Sequence, residues 1–213
     1  MANDINPTIE KARQKAKEFR QREKDILRQA QNLFVQNGED KVTVELIAES
    51  AGIGKGTIYK HFQTKHEIYM RLMIQYEEEL AALFASISVA DDQDRLIRAY
   101  YNFRMSDPDR YALFARLEPK CATEPSVSEL MAQLHRIRVA NMDKLQSLVN
   151  ARIEEGVLID CPAYFHICAA WAMVHGAVAL YESVFFKQLI EDKDAFFDFL
   201  LEVCVRLGVK RTR

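Results

Sequence analysis

The sequence predicts an all-α chain, and three observations carry that reading. Apolar residues recur at 3-4 spacing along almost all of the 213 residues. No segment alternates apolar and polar residues as a half-buried strand does. Gly numbers only 7 and Pro only 5, with Gly at roughly half its average usage of about 7%, whereas sandwiches and doubly wound sheets use both at their many turns. Hydrophobic residues make up 49% of the chain, enough for a sizeable core. The length suits one large or two small domains.

The elements can be justified in order. Ile9, Ala12, Ala16, Phe19, Ile26, Ala30 and Leu33 repeat on a helical rhythm broken only by Glu23. Asn6 suits an N-cap and Pro7 a first helical position, and Gly38 after Asn37 suits a stop. The first helix therefore spans about 7–37. Two short helices follow, over about Val44–Ser50 and Lys55–Phe62. Thr64 and Glu67 form a capping-box pattern that opens a helix running to about Ser88. Breaks at Asp91-Asp92, Asp107-Pro108, Glu118-Pro119, Glu124-Pro125, Gly156 and Cys161-Pro162 leave helices near 92–105, 109–117, 126–155, 162–187 and 192–208. Charge and aromatic content change within the helix over 64–88, near Leu83. That helix joins a domain over residues 1–66 to a second over 67–213.

Residues Val44 to Phe62 carry the strongest signal. Ala48, Gly52 and Ile58 stand at i, i+4 and i+10. A helix-turn-helix needs a small residue where its helices touch, a Gly at the sharp turn, and an apolar anchor on the second helix. Ile47, Ala51, Ile53 and Phe62 complete an inward face. The string from Thr43 to Phe62, followed by Gln63, Thr64 and Lys65, resembles the TetR family of bacterial one-component regulators. The resemblance rests on Thr43, Ile47, Ala48, Ala51, Gly52, Ile53, Lys55, Gly56, Thr57, Ile58, Tyr59, His61, Phe62 and Lys65. It covers about Arg22 to Leu72; beyond that, only length and helical pattern agree. Gly54 departs from the family, which usually has Ser there, so a hydroxyl that would contact phosphate is lost.

The resemblance implies a DNA-reading head. Lys55, Thr57 and Lys60 become the base readers, and Gly56 lets the backbone approach DNA. Thr43, at a helix N-terminus where amides favour anions, becomes a phosphate clamp together with Tyr59, His61 and Lys65. The net charge of -2 would argue against nucleic acid if it were uniform, but it is not. Residues 1–66 hold 12 Lys+Arg against 9 Asp+Glu, a balance of +3, and the remainder carries −5. Lys11, Arg13, Lys15, Lys17, Arg20, Arg22 and Lys24 crowd the first helix. They either follow the DNA backbone toward a minor groove or form a solvated helix end.

The remaining two thirds are rich in bulky apolar groups. In the TetR family this half is a helical bundle that encloses an effector and pairs with its copy. Tyr101, Phe103, Met105, Tyr111, Phe114, Met142, Cys168, Trp171 and His175 are the candidate pocket residues, although the same groups would serve a plain core. Tyr164, Cys168, Trp171, His175 and Val178 share one helix face, assigned to the pocket, with His175 as the polar group that orients a ligand. A smaller-residue face with Met173, Gly176 and Leu180 is assigned to a dimer partner. Phe196, Phe199, Leu200, Val203 and Leu207 in the last helix join it in a four-helix interface.

Several classes are disfavoured. Cys161, Cys168 and His175 lie at i, i+7 and i+14, about 10 Å apart per step on a helix, too far to share one metal ion. No metal or other cofactor is expected. No phosphate loop, catalytic carboxylate pair or HExxH motif marks an enzyme that retained a helix-turn-helix. From Cys161 to Tyr181 no residue is charged, long enough to span a bilayer, but Pro162, His166 and His175 interrupt it and Asp160 and Glu182 flank it. A buried helix and no membrane are expected. The polar stretch Met1–Glu10 is unlike a secretory signal, and four scattered cysteines suit reduced buried thiols in a cytoplasm. The function expected is a homodimeric regulator that binds a palindromic operator in double-stranded DNA and is released from it by a small apolar or amphipathic effector. The alternative is a ligand-responsive activator.

Overall fold

The computed structural model describes residues 7–88, 90–92 and 94–210, without the side chains of residues 7 and 8. The structure is all-α. Its N-terminal part holds α1 (Pro7–Asn37), a 3-10 turn (Glu39–Lys41), α2 (Val44–Ser50) and α3 (Lys55–Ile58). The long α4 (Lys65–Ala85) leads to α5 (Arg95–Met105), α6 (Pro108–Cys121), α7 (Ser128–Glu154), α8 (Ala163–Glu182), α9 (Val184–Leu189) and α10 (Lys193–Arg206). The expected bounds of α1 and α2 match the observed ones. The N-cap expected at Asn6 lies outside the described residues.

Where bounds differ, side chains explain the difference. Ser86 Oγ donates to Leu83 O at 2.7 Å and so closes α4 three residues before the expected Ser88. α6 runs through Pro119 instead of stopping at it; only the final turn follows the missing N–H. Its start lies one residue before the expected 109: Asp107 Oδ1 accepts from Arg110 N at 3.0 Å, with Pro108 in the first turn. The single helix expected over 162–187 is two helices, because Ser183 leaves helical geometry at ψ 125° and its Oγ accepts from Phe186 N to cap α9. The α7–α8 link pairs with the tail through a bridge between Leu158 and Val209, which no periodicity announced.

One continuous core runs from Ile26 on α1 to Cys204 on α10. The N-terminal half of α1 stands outside it: residues 9–22 are all exposed, and Ile9 and Phe19 remain about half exposed despite their helical spacing. α4 serves both ends of the molecule. Ile68, Tyr69 and Leu72 are buried with Phe34 of α1, while Met73, Tyr76, Leu80 and Phe84 face a cavity in the bundle. Within the single chain α8 is buried less than expected. That helix is long and apolar enough to cross a membrane, yet only 22% of its apolar window is buried. Val174, Ala177 and Val178 pack inward, while Phe165, Ala172, Gly176 and Ala179 stay uncovered. The thiols also divide. Cys121 and Cys204 are buried, and burial pushes the Cys121 thiol up to about 11, whereas Cys161 is half-buried and Cys168 exposed.

A candidate DNA-reading head and a candidate effector cavity

The turn between α2 and α3 follows from Gly52. Its φ of +67° is left-handed geometry that a Cβ disfavours. It lets Ile53 N reach Ala48 O at 2.9 Å and Gly52 N reach Glu49 O at 3.0 Å, closing α2 as a Schellman-type motif does. Ala48 and Ile58 are buried where the helices meet, and Ile47 and Phe62 seal the underside. The reading helix is shorter than expected. α3 is one α-turn, after which Lys60 N and His61 N bond to Thr57 O and Ile58 O in the tighter i→i−3 pattern.

The expected DNA contacts fare unequally. Thr43 caps α2, its Oγ1 accepting from Leu46 N at 3.1 Å and its own O–H still free to donate outward. Lys60 and Gly56 are exposed and Thr57 half-exposed on the outer face. Lys55 is exposed, but its Nζ pairs with Glu45 Oε1 at 2.7 Å, and that hydrogen bond holds the ammonium above its usual value. Tyr59 Oη donates weakly to the same carboxylate oxygen at 3.4 Å. An expected base reader, Lys55, and an expected phosphate clamp, Tyr59, are therefore restrained by Glu45, which motif reading overlooked.

Two further expected phosphate clamps, Lys65 and His61, are engaged within the protein. Lys65 Nζ donates to Glu39 O and Val42 O, both at 3.0 Å. It ties the start of α4 to carbonyls of the turn before α2. His61 stacks on Phe19 of α1 with ring centroids 4.0 Å apart. Its Nδ1 is buried without a partner among the described residues, and burial lowers its pKa, which disfavours the imidazolium a clamp would use.

Gly54 caps α3 through its backbone alone, at φ −71° and ψ 152°. A Cβ there meets nothing within 4 Å. Gly54→Ser should therefore be accommodated and should stabilise the head by a few tenths of a kcal/mol, the usual margin of Ser over Gly at an N-cap. A lowered melting temperature would contradict this.

Behind the head lies a cavity of about 1280 Å³ bounded by α4 to α8 and α10. Of the candidate pocket residues, Tyr111, Phe114, Met142, Cys168, Trp171 and His175 line it. Tyr101, Phe103 and Met105 do not. Tyr101 is 2% exposed and donates to Phe197 O at 2.8 Å, joining α5 to α10. Phe103 and Met105 pack against the core. Tyr111 Oη lies 3.0 Å from His175 Nδ1, and the His175 ring stacks on Trp171 at 4.7 Å. The polar and charged wall was missed: Tyr76, Glu77, Tyr100, Arg104, Glu118, Arg138 and Asn141. Helical spacing marks these positions as inward, but only the fold shows that they converge. Burial pushes the hydroxyls of Tyr76, Tyr100 and Tyr111 above the usual phenol range, so they stay protonated donors at neutral pH.

The residues expected at a dimer interface differ in exposure. Met173 and Leu200 pack against their own core, Leu180, Phe196 and Val203 are half-buried, and Leu207 lines the cavity. Gly176 and Phe199 do face outward. One helical position is a 100° step, so Ala172 is uncovered where Met173 is not.

Comparison with known proteins agrees with this anatomy. Residues 26–72 match bacterial regulatory proteins of the tetR family, and residues 94–204 match a tetracyclin repressor-like C-terminal domain. The chain is 28% identical over 113 residues to the HTH-type transcriptional activator FasR of Mycolicibacterium smegmatis, covering 51% of each chain. It is 26% identical over 141 residues to the HTH-type transcriptional regulator YhgD of Bacillus subtilis, covering 64% of this chain and 69% of YhgD. The match thus spans about half the length of FasR. Among solved structures, a tetR-family regulatory protein from Rhodococcus RHA1 superposes with a TM-score of 0.69 at 16% identity, over 90% of this chain and 98% of that one. KstR2 of Mycobacterium tuberculosis, a ketosteroid transcriptional regulator, gives 0.64 at 18% identity, over 90% and 96%. The two family matches together account for the reading head and for most of the cavity-bearing bundle: this chain belongs to the TetR family of DNA-binding transcriptional regulators.

Proposed function

We propose that the protein is a homodimeric, effector-controlled repressor that leaves a palindromic operator when an apolar or amphipathic molecule fills the cavity. Residues 1–66 form the reading unit and 67–213 the effector and dimer unit, with α4 shared between them. Lys55, Gly56, Thr57 and Lys60 face the major groove; Thr43 and Tyr59 hold phosphates. Tyr111, Phe114, Met142, Cys168, Trp171 and His175 contact the effector. The free faces of α8 and α10, with Phe165, Ala172, Gly176 and Phe199 outward, are covered by a second copy, which leaves the apolar helix α8 no need of a membrane.

The observation that carries this reading is the double attachment of α6. On one side it supplies Tyr111, Phe114 and Glu118 to the cavity. On the other, Arg116 Nε and Lys120 Nζ reach the buried Glu39 carboxylate at 3.4 and 3.2 Å, in the turn just before α2. A ligand that displaces Tyr111 or Phe114 therefore moves the helix that grips the reading head. Coupling of about 1–3 kcal/mol between such sites changes operator affinity roughly 5–150-fold. The sign of control has a second reading, because FasR is a named activator.

Selection of bound duplexes from a random pool tests the reading. An inverted repeat should emerge, Tyr59→Ala should weaken binding to it, and Trp171→Ala should blunt effector release while sparing operator affinity. Recovery of unrepeated half-sites, or equal loss of both activities in Trp171→Ala, would contradict the dimer or the cavity assignment respectively.

A further inference from the structure

The cavity wall contains a cation that forms no ion pair among the described residues. Arg104 of α5 is 7% exposed. Its guanidinium carbon lies 4.8 Å from the ring centroid of Tyr76, 4.9 Å from Tyr111 and 5.4 Å from Tyr100. Aromatic faces attract a cation but offer no hydrogen-bond acceptor in the guanidinium plane. Arg104 Nε and Tyr76 Oη are buried and meet no partner of hydrogen-bond geometry among the described residues, so the guanidinium is held only by the close but poorly aligned Tyr76 and Tyr100 hydroxyls and their rings. Arg104 and Tyr76 both line the cavity.

The nearby carboxylates are engaged elsewhere. Glu118 takes Arg138 through both oxygens, at 2.7 and 3.0 Å. Glu77 accepts from Arg138 Nε at 3.3 Å and from Asn141 Nδ2 at 3.3 Å. Neither forms an ion pair with Arg104. Buried charges are ordinarily paired and hydrogen-bonded. A buried guanidinium without an ion-pair partner, beside the Tyr76 hydroxyl in the cavity wall, matches a ligand that brings acceptor oxygens and one negative charge. Around Arg104, the Glu77 and Glu118 carboxylates balance the Arg104 and Arg138 guanidiniums, so a monoanion is tolerated where a dianion would be repelled by Glu77 and Glu118. Away from Arg104 the lining has an apolar stretch along Leu80, Phe84, Ile97, Leu145 and Leu148, and it also includes the charged residues Asp92, Asp94, Arg152, Arg206 and Lys210.

We propose that the effector is an amphipathic monocarboxylic acid, its carboxylate accepting from Arg104 and Tyr76 and its apolar body lying along Leu80, Phe84, Ile97 and Leu148. This rests on the reading of the cavity as the effector site. His175 stands next to this anchor through Tyr111, whose hydroxyl is 3.0 Å from His175 Nδ1 and whose ring is 4.9 Å from the Arg104 guanidinium carbon.

Matched acids and alcohols test the assignment on the full chain: dodecanoate against 1-dodecanol, and 4-butylbenzoate against 4-butylbenzyl alcohol. Binding is followed by equilibrium dialysis and by the fluorescence of Trp171, the one tryptophan. A charge-assisted contact predicts that each acid binds about 10-fold to 100-fold more tightly than its alcohol. Arg104→Met should bring acid and alcohol to parity without weakening the alcohol, and Arg104→Lys should keep part of the preference. Equal binding of acids and alcohols by the unmodified protein would overturn the carboxylate anchor while leaving the cavity as an effector site. Failure of all four probes to bind would overturn both. Should Arg104→Met not fold, the acid-to-alcohol ratio of the unmodified protein decides the question alone.

Discussion

Operator binding should weaken by roughly 10³–10⁵ when salt rises from 50 to 200 mM, the loss expected when a dimer neutralises about 6–10 phosphates. The structure makes this expectation residue-specific. Lys60 is exposed on the outer face of the reading turn and makes no ion pair among the described residues. Lys60→Ala removes one phosphate or base contact per head, two per dimer, and should lower the slope of log affinity against log salt by about 2. Lys65→Ala should behave oppositely. Its ammonium is engaged with Glu39 O and Val42 O, so its loss should lower the melting temperature and leave the salt slope in place. Lys55 is intermediate, because a phosphate must first draw it from Glu45. Salt slopes from fluorescence anisotropy, set beside melting curves, separate the three. A slope unchanged in Lys60→Ala but reduced in Lys65→Ala would invert the assignment of these lysines.

The motif-level reading placed Lys55 and Lys60 on bases and Lys65 on a phosphate, without the protein partners that engage Lys55 and Lys65. The positions that sequence specified well are those fixed by local backbone chemistry. Gly52 must adopt positive φ, Thr43 and Thr64 must cap, and Ile47, Ala48 and Ile58 must be small or apolar at a contact only a few residues long. Lys65 and His61 depend instead on distant partners, Glu39 and Phe19, which no spacing rule within 43–65 includes. The cavity shows the same division. Periodicity finds the inward stripe of each helix, so Tyr111, Phe114 and Trp171 could be assigned. It does not say which inward residues meet a void and which meet another helix, so Tyr101 was placed in the cavity when it holds α10. Charged residues were passed over because burial is improbable for them one at a time. Arg104, Glu77 and Arg138 are buried or half-buried only because α4, α5, α6 and α7 bring them together.

Arg138→Met should be the most damaging single change in that wall. α4 and α7 share the most extensive helix contact of the bundle, and Arg138 spans it, bonding to Glu77 on α4 and Glu118 on α6. Its removal leaves the Glu77 carboxylate, with only 9% of its side chain exposed, holding Asn141 as its direct partner. Stranding one member of a buried pair costs about 3–5 kcal/mol. Arg138 is itself 36% exposed and water can reach the pair, so about 2–4 kcal/mol is expected, or roughly 5–15 °C in melting temperature for a chain of this size. Adding Glu77→Gln removes the stranded charge while preserving an acceptor for Asn141, and should recover at least half of the loss. Equal melting of the single and double variants would show that lost packing, not the buried charge, sets the cost. The single variant also frees Glu77 to turn toward Arg104. If it does, the stability loss shrinks and the preference for acids over alcohols disappears in the same protein. The two effects must then appear together, because one carboxylate cannot be left unpaired on α4 and occupy the anchor on α5 at once.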